Sequence, residues 1–180
     1  MDEKEIAIKN NVIYEGKILT LNVDDVKCPN GNLTKREIVH HHGGVCVLAN
    51  YEGYIYFVRQ YRYAYDEFLL ELPAGKLNKD EDPKVGGIRE LEEETGLLAK
   101  DLIPMGVMYP SCGYSDEKIY LYLAKDVTKS HMHLDDDEFL DVIKFDIKTV
   151  KEMLDNNKIN DAKTICLLYK FFNSVYHINN

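Results

Sequence analysis

The stretch Gly75–Leu97, GKLNKDEDPKVGGIRELEEETGL, sets Glu90, Glu92, Glu93 and Glu94 close behind Arg89, with a glycine at or near each end. At a helical pitch of roughly 100° per residue, Glu90, Glu93 and Glu94 share one sector of the surface. Like charges one turn apart cost a helix a few tenths of a kcal/mol. A hard divalent cation with oxygen ligands removes that conflict, so the segment points to a Mg²⁺-type site. The helix limits are legible too. Asp82 followed by Pro83 reads as N-cap and first helical position, and Gly96 as the C-terminal stop. Val85, Ile88 and Leu91 form an apolar stripe expected against the core. Gly86 and Gly87 cost a helix about 1 kcal/mol each relative to alanine, which close approach of a loop or ligand would explain.

Around this segment, 180 residues suffice for one domain with a sizeable core, with or without a small appendage. A net charge of -9 argues against a nucleic-acid binder that needs a basic footprint. It leaves room for a nucleotide ligand whose phosphates meet local basic residues or cations. No apolar run is long enough to span a bilayer, and the charged opening MDEKEIAIKN is no export signal. Cys28, Cys46, Cys112 and Cys166 lie far apart and form no C-x-x-C pair. That pattern fits reduced thiols in a cytoplasmic protein, and charge and hydropathy together predict neither nucleic-acid nor membrane partners.

Residues 11–42 read as short strands, VIYEG, KILTLNVDDVKC and NLTKREIVHHH, with Asn30-Gly31 predicting a two-residue hairpin turn. This sheet has little to bury alone and is expected to pack on the main domain or on a second subunit. From Gly44 follow GVCVLAN, YIYFVRQY and FLLEL, then the acidic helix, then LIPMGVMY, KIYLYLAK and FLDVIKF. The helices TVKEMLDNN and DAKTICLLYKFFNSV close the chain. Strands, helix, strands, helices, without regular βα alternation, predict an α+β fold: a mixed sheet with helices against it. The boundary falls between an N-terminal β segment, 1–42, and a main domain, 43–180.

Gly75, Glu81, Arg89, Glu90, Leu91, Glu93, Glu94, Gly96 and Leu97 fit G-x5-E-x7-R-E-U-x-E-E-x-G-U, with U apolar, at every specified position. The chain therefore resembles the Nudix hydrolases, whose fold is an α/β/α sandwich. The resemblance implies Mg²⁺- or Mn²⁺-dependent hydrolysis of a nucleoside diphosphate linked to another group. By the same likeness Glu90 and Glu94 are the principal metal ligands, Glu93 assists, and the carbonyl of Ala74 completes the site. Arg89 and Glu81 would orient the glutamates and tie loop to helix.

VRQYRYA, LLELPAGKL, SCGYSDEKIYLYLA, LDDDEFLDV and INDAKT extend the likeness to the ADP-ribose pyrophosphatase subfamily from Val45 onward. The subfamily's N-terminal sheet exchanges between subunits, which implies a homodimer. Its catalytic glutamate on a loop after the box corresponds to Glu117, a candidate general base, with Asp116 as the alternative. A base on a mobile loop can close over substrate and exclude water. Arg62 resembles a substrate-phosphate contact and Glu71 its orienting partner, against the alternative of a plain surface ion pair. Arg59, Arg36 and Tyr14 are further substrate-binding candidates, Tyr14 by stacking on adenine.

One departure touches specificity: Cys112 precedes Gly113 where the subfamily usually has proline. Cys112 itself reads as a spacer, with no base partner evident. His40, His41 and His42 alternate faces along a strand and cannot converge on one ion. The acidic run 135–138 could bind a cation but reads first as surface acidity. The expected activity is hydrolysis of ADP-ribose to AMP and ribose 5-phosphate. Alternatives are another Nudix pyrophosphatase, acting on a nucleotide sugar, dinucleotide or nucleoside triphosphate, and a non-catalytic Nudix-fold ligand sensor.

Overall fold

The computed structural model describes residues 3–134 and 138–178, the last four of these by backbone only. The chain divides into two compact units, residues 1–43 with 109–118, and residues 44–108 with 119–180.

The first unit is built on an antiparallel sheet. Its centre is β3 (Leu19–Lys27), which pairs along its length with β4 (Leu33–His41), from Leu19 opposite His41 to Lys27 opposite Leu33. On its other edge β3 takes β1 (Ile6–Lys9) and β2 (Val12–Glu15) end to end. The β3–β4 connection differs from the two-residue turn expected of Asn30-Gly31. Gly31 alone is left-handed, at φ 86°, and its N–H donates to the Cys28 carbonyl at 2.9 Å while Cys28 N–H meets the Asn32 carbonyl at 2.8 Å. That is the three-residue loop of a tight turn plus a left-handed glycine, and Pro29 accounts for it by pre-setting the turn's first φ. Residues 109–118 dock on β4: Val39 N–H donates to Tyr114 O (2.7 Å) and Asp116 N–H to Val39 O (3.2 Å).

The second unit carries two four-stranded sheets and the helices α1 (Pro83–Thr95), α2 (Ile147–Asp155) and α3 (Ala162–Ile178). The first sheet runs β10 (Leu97–Met108), β11 (Ile119–Lys129), β5 (Gly44–Leu48), β9 (Ala74–Lys76). Only β11 and β5 are parallel, so the sheet is mixed. In the second, β7 (Tyr54–Arg62) pairs antiparallel with β12 (Leu140–Asp146), β6 (Asn50–Tyr51) and β8 (Glu67–Glu71).

The unbroken apolar run of β5 follows from its position in the middle layer. Successive side chains point to opposite faces, and both faces are covered. Cys46 and Leu48 join Leu167, Leu168, Phe171 and Phe172 of α3. Val45 and Val47 join Leu91 of α1, Leu102 and Tyr122. Helix, sheet, helix is the expected α+β, α/β/α arrangement, and the short strands β1, β6 and β9 are the elements the sequence did not announce.

The apolar stripe expected on α1 is buried in part: Leu91 lies in the core and Ile88 packs against it. Val85 is 60% exposed, whereas Gly86, Gly87, Leu91 and Glu94 are buried. A Cβ on Gly86 would come within 2.7 Å of Leu77, and one on Gly87 within 2.8 Å of Leu102. The two glycines let α1 lie close on the sheet, which turns the helix so that Glu94 is carried inward and Val85 outward.

Candidate active site

Local chain chemistry fixes α1. The Asp82 carboxylate caps the helix by accepting from Lys84 N–H (2.9 Å) and Val85 N–H (3.2 Å), with Pro83 next in line. Gly96, left-handed at φ 66°, ends it. Arg89 then gathers the acidic groups. Its guanidinium donates to both oxygens of Glu81 (3.0 Å each), to Glu90 (2.9 Å), to Glu93 (2.8 Å) and to the Lys76 carbonyl (3.3 Å). Glu81 sits below its ordinary carboxylate value because Arg89 donates to it.

Two carboxylates lie deeper. Glu94, 2% exposed, accepts the Ala74 N–H at 2.9 Å. Glu90 packs on the backbone of Gly75 so closely that a Cβ there would stand 2.0–2.2 Å from its carboxylate atoms. Burial, first of all, pushes Glu94 up to about 8 and Glu90 up to about 7, and each also feels the charge of Glu138. Buried, negatively charged, oxygen-only groups beside a residue without a side chain fit a hard divalent cation. Glu93 is turned to Arg89, and among the described residues no three His, Cys, Asp or Glu side chains are gathered as a finished metal centre. Ala74 was expected to offer its carbonyl; the contact seen is its amide, holding Glu94 in place.

Arg62 and Glu71 do meet, and not as a surface pair. Glu71 is 1% exposed at the end of the apolar strand β8. It receives two parallel bonds from Arg62 (2.6 and 2.7 Å) and a third from Lys163 Nζ. Burial pushes the Glu71 carboxyl up, but Arg62 and Lys163 outweigh it and hold it below its usual range. Lys163 also donates to Asp161 at 3.0 Å, and Asp161 accepts the Thr164 N–H at the start of α3 (3.0 Å). The charges of Arg62 and Glu94 bear on one another, so this network adjoins the glutamates of α1. Arg59 is not part of it. One residue parity away on β7, it lies 4.2 Å over the Phe68 ring and 3.4 Å from Asp141.

The remaining candidates lie in the first unit. Tyr14 is 58% exposed, its ring over Gly16, where a Cβ would come within 2.6 Å. Arg36 is engaged by Glu5. Asp116 is committed to β4, accepting from His41 N–H at 3.0 Å and lying 2.5 Å from His40 Nδ1. Burial pushes Asp116 up, but those bonds hold it low. Glu117 is 3.4 Å from His41 Nδ1, a nitrogen that already accepts the Gly43 N–H (3.0 Å). Its carboxylate is thus the less committed of the two. His40 and His41 both hold the 109–118 loop, where only an alternation of faces was expected. Cys112 is an exposed free thiol.

Sequence reasoning missed Lys163 and Asp161, and read Glu138, with the rest of its acidic run, first as surface acidity. A signal existed for the first two, since a glutamate inside the apolar run FLLEL must find cations if it is buried. Of the acidic run, Asp135–Asp137 lie outside the described residues.

A family model described as NUDIX domain matches residues 40–168. The chain is 41% identical over 167 residues to ADP-ribose pyrophosphatase of Bacillus subtilis (strain 168), covering 91% of this chain and 89% of that protein. It is 42% identical over 165 residues to Methanol dehydrogenase activator of Bacillus methanolicus, covering 90% and 89%. Among solved structures, that of an ADP compounds hydrolase matches with a TM-score of 0.86 over 98% of this chain and 96% of the other, at 18% identity. At that identity the likeness shows the fold.

Proposed function

The chain belongs to the Nudix family, and from that premise we propose that it hydrolyses the pyrophosphate bond of ADP-ribose to AMP and ribose 5-phosphate, using Mg²⁺ or Mn²⁺. The observation that carries the reading is the cradle in which Glu90 lies on Gly75 and Glu94 on the Ala74 amide. Box spacing alone says that these residues are present; the cradle buries two carboxylates side by side, Glu90 sharing Arg89 with Glu81 and Glu93. The 41% identity to a pyrophosphatase of ADP-ribose supports the substrate.

Glu90 and Glu94 would hold the cation, with Glu93 joining when it leaves Arg89. When bound, the cation neutralises the pyrophosphate oxygens, polarises the phosphorus centre and acidifies water. Arg89 and Glu81 fix the helix face against the 75–81 loop. Arg62, its planar guanidinium oriented by two bonds to Glu71, presents its remaining N–H groups for a phosphate oxygen. Water adds a hydroxyl to one phosphorus, the bridging P–O bond breaks, and a carboxylate takes the water's proton. We assign that base role to Glu117, since Asp116 is spent on β4. Glu138, whose charge reaches Glu90 and Glu94, is the other acid for that duty. Arg36 and Tyr14 remain candidates for the nucleotide, and Arg59, stacked on Phe68, for its rim.

The exposed Ile6, Ile8, Val12, Ile13 and Leu33 of the N-terminal sheet support a homodimer. The free cysteines fit a cytoplasmic protein, and no helix among the described residues is long and apolar enough to cross a membrane. A second reading, activation of a methanol dehydrogenase, is favoured by the equal likeness to such an activator. A panel of ADP-ribose, nucleotide sugars, dinucleotides and nucleoside triphosphates with Mg²⁺, products identified, tests the proposal. ADP-ribose should give the highest kcat/KM with AMP as product; a dominant preference for another member of the panel overturns it.

A further inference from the structure

Two neighbouring histidines of β4 meet the loop 109–118, and they meet it in opposite ways. The loop touches β4 as a parallel bridge between Val39 and Ser115, held by one backbone bond to each side of Val39. That is a slender hold, and the Asp116 carboxylate adds to it. One of its oxygens accepts the His41 N–H at 3.0 Å, and the other lies 2.5 Å from His40 Nδ1. An ionised carboxylate only accepts, so the proton of that second bond sits on His40 Nδ1. His41 is the reverse case. Its Nδ1 accepts the Gly43 N–H at 3.0 Å and so has no proton to offer the Glu117 carboxylate, 3.4 Å away. The first ring fastens the loop; the second leaves the Glu117 carboxylate free to accept. Glu117 directly follows the fastened residue, and its own N–H donates to Ser115 Oγ at 3.1 Å.

We propose that His40 is a positioning residue: by donating to Asp116 it latches the 109–118 loop to β4, and the latch fixes the backbone from which Glu117 projects. His40 thus acts on the reaction through Asp116 and never touches substrate. The pair keeps 42% and 49% of its side chains in solvent, so its strength is modest. Losing it shifts the loop toward opening and leaves the fold in place. The purpose of the latch rests on the hydrolase reading, with Glu117 as base, but the latch itself is measurable without turnover.

The experiment reads amide hydrogen exchange at Val39 and Asp116 by NMR on the full chain, with kcat and KM for ADP-ribose and Mg²⁺ alongside. His40→Ala should speed exchange at both amides about fivefold and lower kcat by a similar factor, with KM little changed. His40→Asn keeps an N–H donor near the place of Nδ1 and should restore both. His40→Ala added to Asp116→Ala should cost nothing beyond Asp116→Ala alone. Four results overturn the proposal. Parental exchange in His40→Ala would show that the loop needs no latch. Faster exchange with a parental kcat would show that the latch does not position the base. His40→Asn as impaired as His40→Ala would remove the hydrogen bond as the cause. Full additivity in the double variant would uncouple His40 from Asp116. Failure of the hydrolase reading shows differently, as a parent protein that turns over no ADP-ribose; that ends the role in the reaction, while exchange still answers to His40.

Discussion

Replacing Glu71 by glutamine keeps its shape and removes its charge from a site that is 1% exposed. The parent carboxylate is held by Arg62 at 2.6 and 2.7 Å and by Lys163. Removing one partner of a buried ion pair costs about 3–5 kcal/mol, because the other charge is left without compensation. Two features place this case at the low end. Arg62 has 36% of its side chain in solvent, and Lys163 keeps Asp161 at 3.0 Å. We expect a loss of about 3 kcal/mol, a fall of roughly 6–12 °C in Tm for a chain of this size. Urea and thermal unfolding followed by circular dichroism at pH 7, without metal, measure it. The pH dependence gives a second check. The Glu71 carboxyl is lowered in the folded state, so its contribution is full above the unfolded value of 4.5 and fades as pH falls through the lower folded value. The gap between parent and Glu71→Gln should therefore narrow on acidification below that point. Adding Lys163→Met should recover part of the loss, since the stranded cation goes with it. A Glu71→Gln protein within about 1 kcal/mol of the parent at pH 7 would refute the reasoning.

Glu94→Gln should abolish cation-dependent turnover while the unfolding transition survives; retained activity removes Glu94 from the ligands. Gly75→Ala puts a methyl group where the Glu90 carboxylate lies, so calorimetric Mg²⁺ binding should be lost, and normal binding would show that Glu90 need not sit there. Glu117→Gln should lower kcat far more than it changes KM, while Asp116→Asn should instead loosen the loop; a near-parental rate for Glu117→Gln transfers the base role to Glu138. Glu90 and Glu94 are raised to about 7 and about 8 by burial, so the folded metal-free protein holds more protons than the unfolded chain between pH 4.5 and those values. Their contribution is fully present below 4.5 and lost as pH rises through 7 to 8. Metal-free protein should melt lower at pH 9 than at pH 6, and saturating Mg²⁺ should reduce the difference; no pH trend without metal would contradict the burial seen.

The sequence determined the reaction class and the layer order by itself. Box spacing survives any packing detail, since an α-helix places i, i+3 and i+4 in one sector whatever lies beneath it. The run GVCVLAN likewise reads as a strand, and its covering on both faces is seen in the fold. Asp82, Pro83 and Gly96 mark helix ends because capping is local chemistry. What only the tertiary structure decided depends on residues far apart in the chain. Gly86 and Gly87 admit Leu77 and Leu102, and that contact, together with Ile88 and Leu91 but without Val85, sets the rotation of α1. The rotation buries Glu94. Glu71 and Lys163 are separated by 92 positions and become partners only when β8 and α3 pack together. The same holds for Glu92 and Ser130, 38 positions apart. A helix pattern states which charges share a face; which of them lose water, and which cation each one finds, is settled by the elements folded against that face.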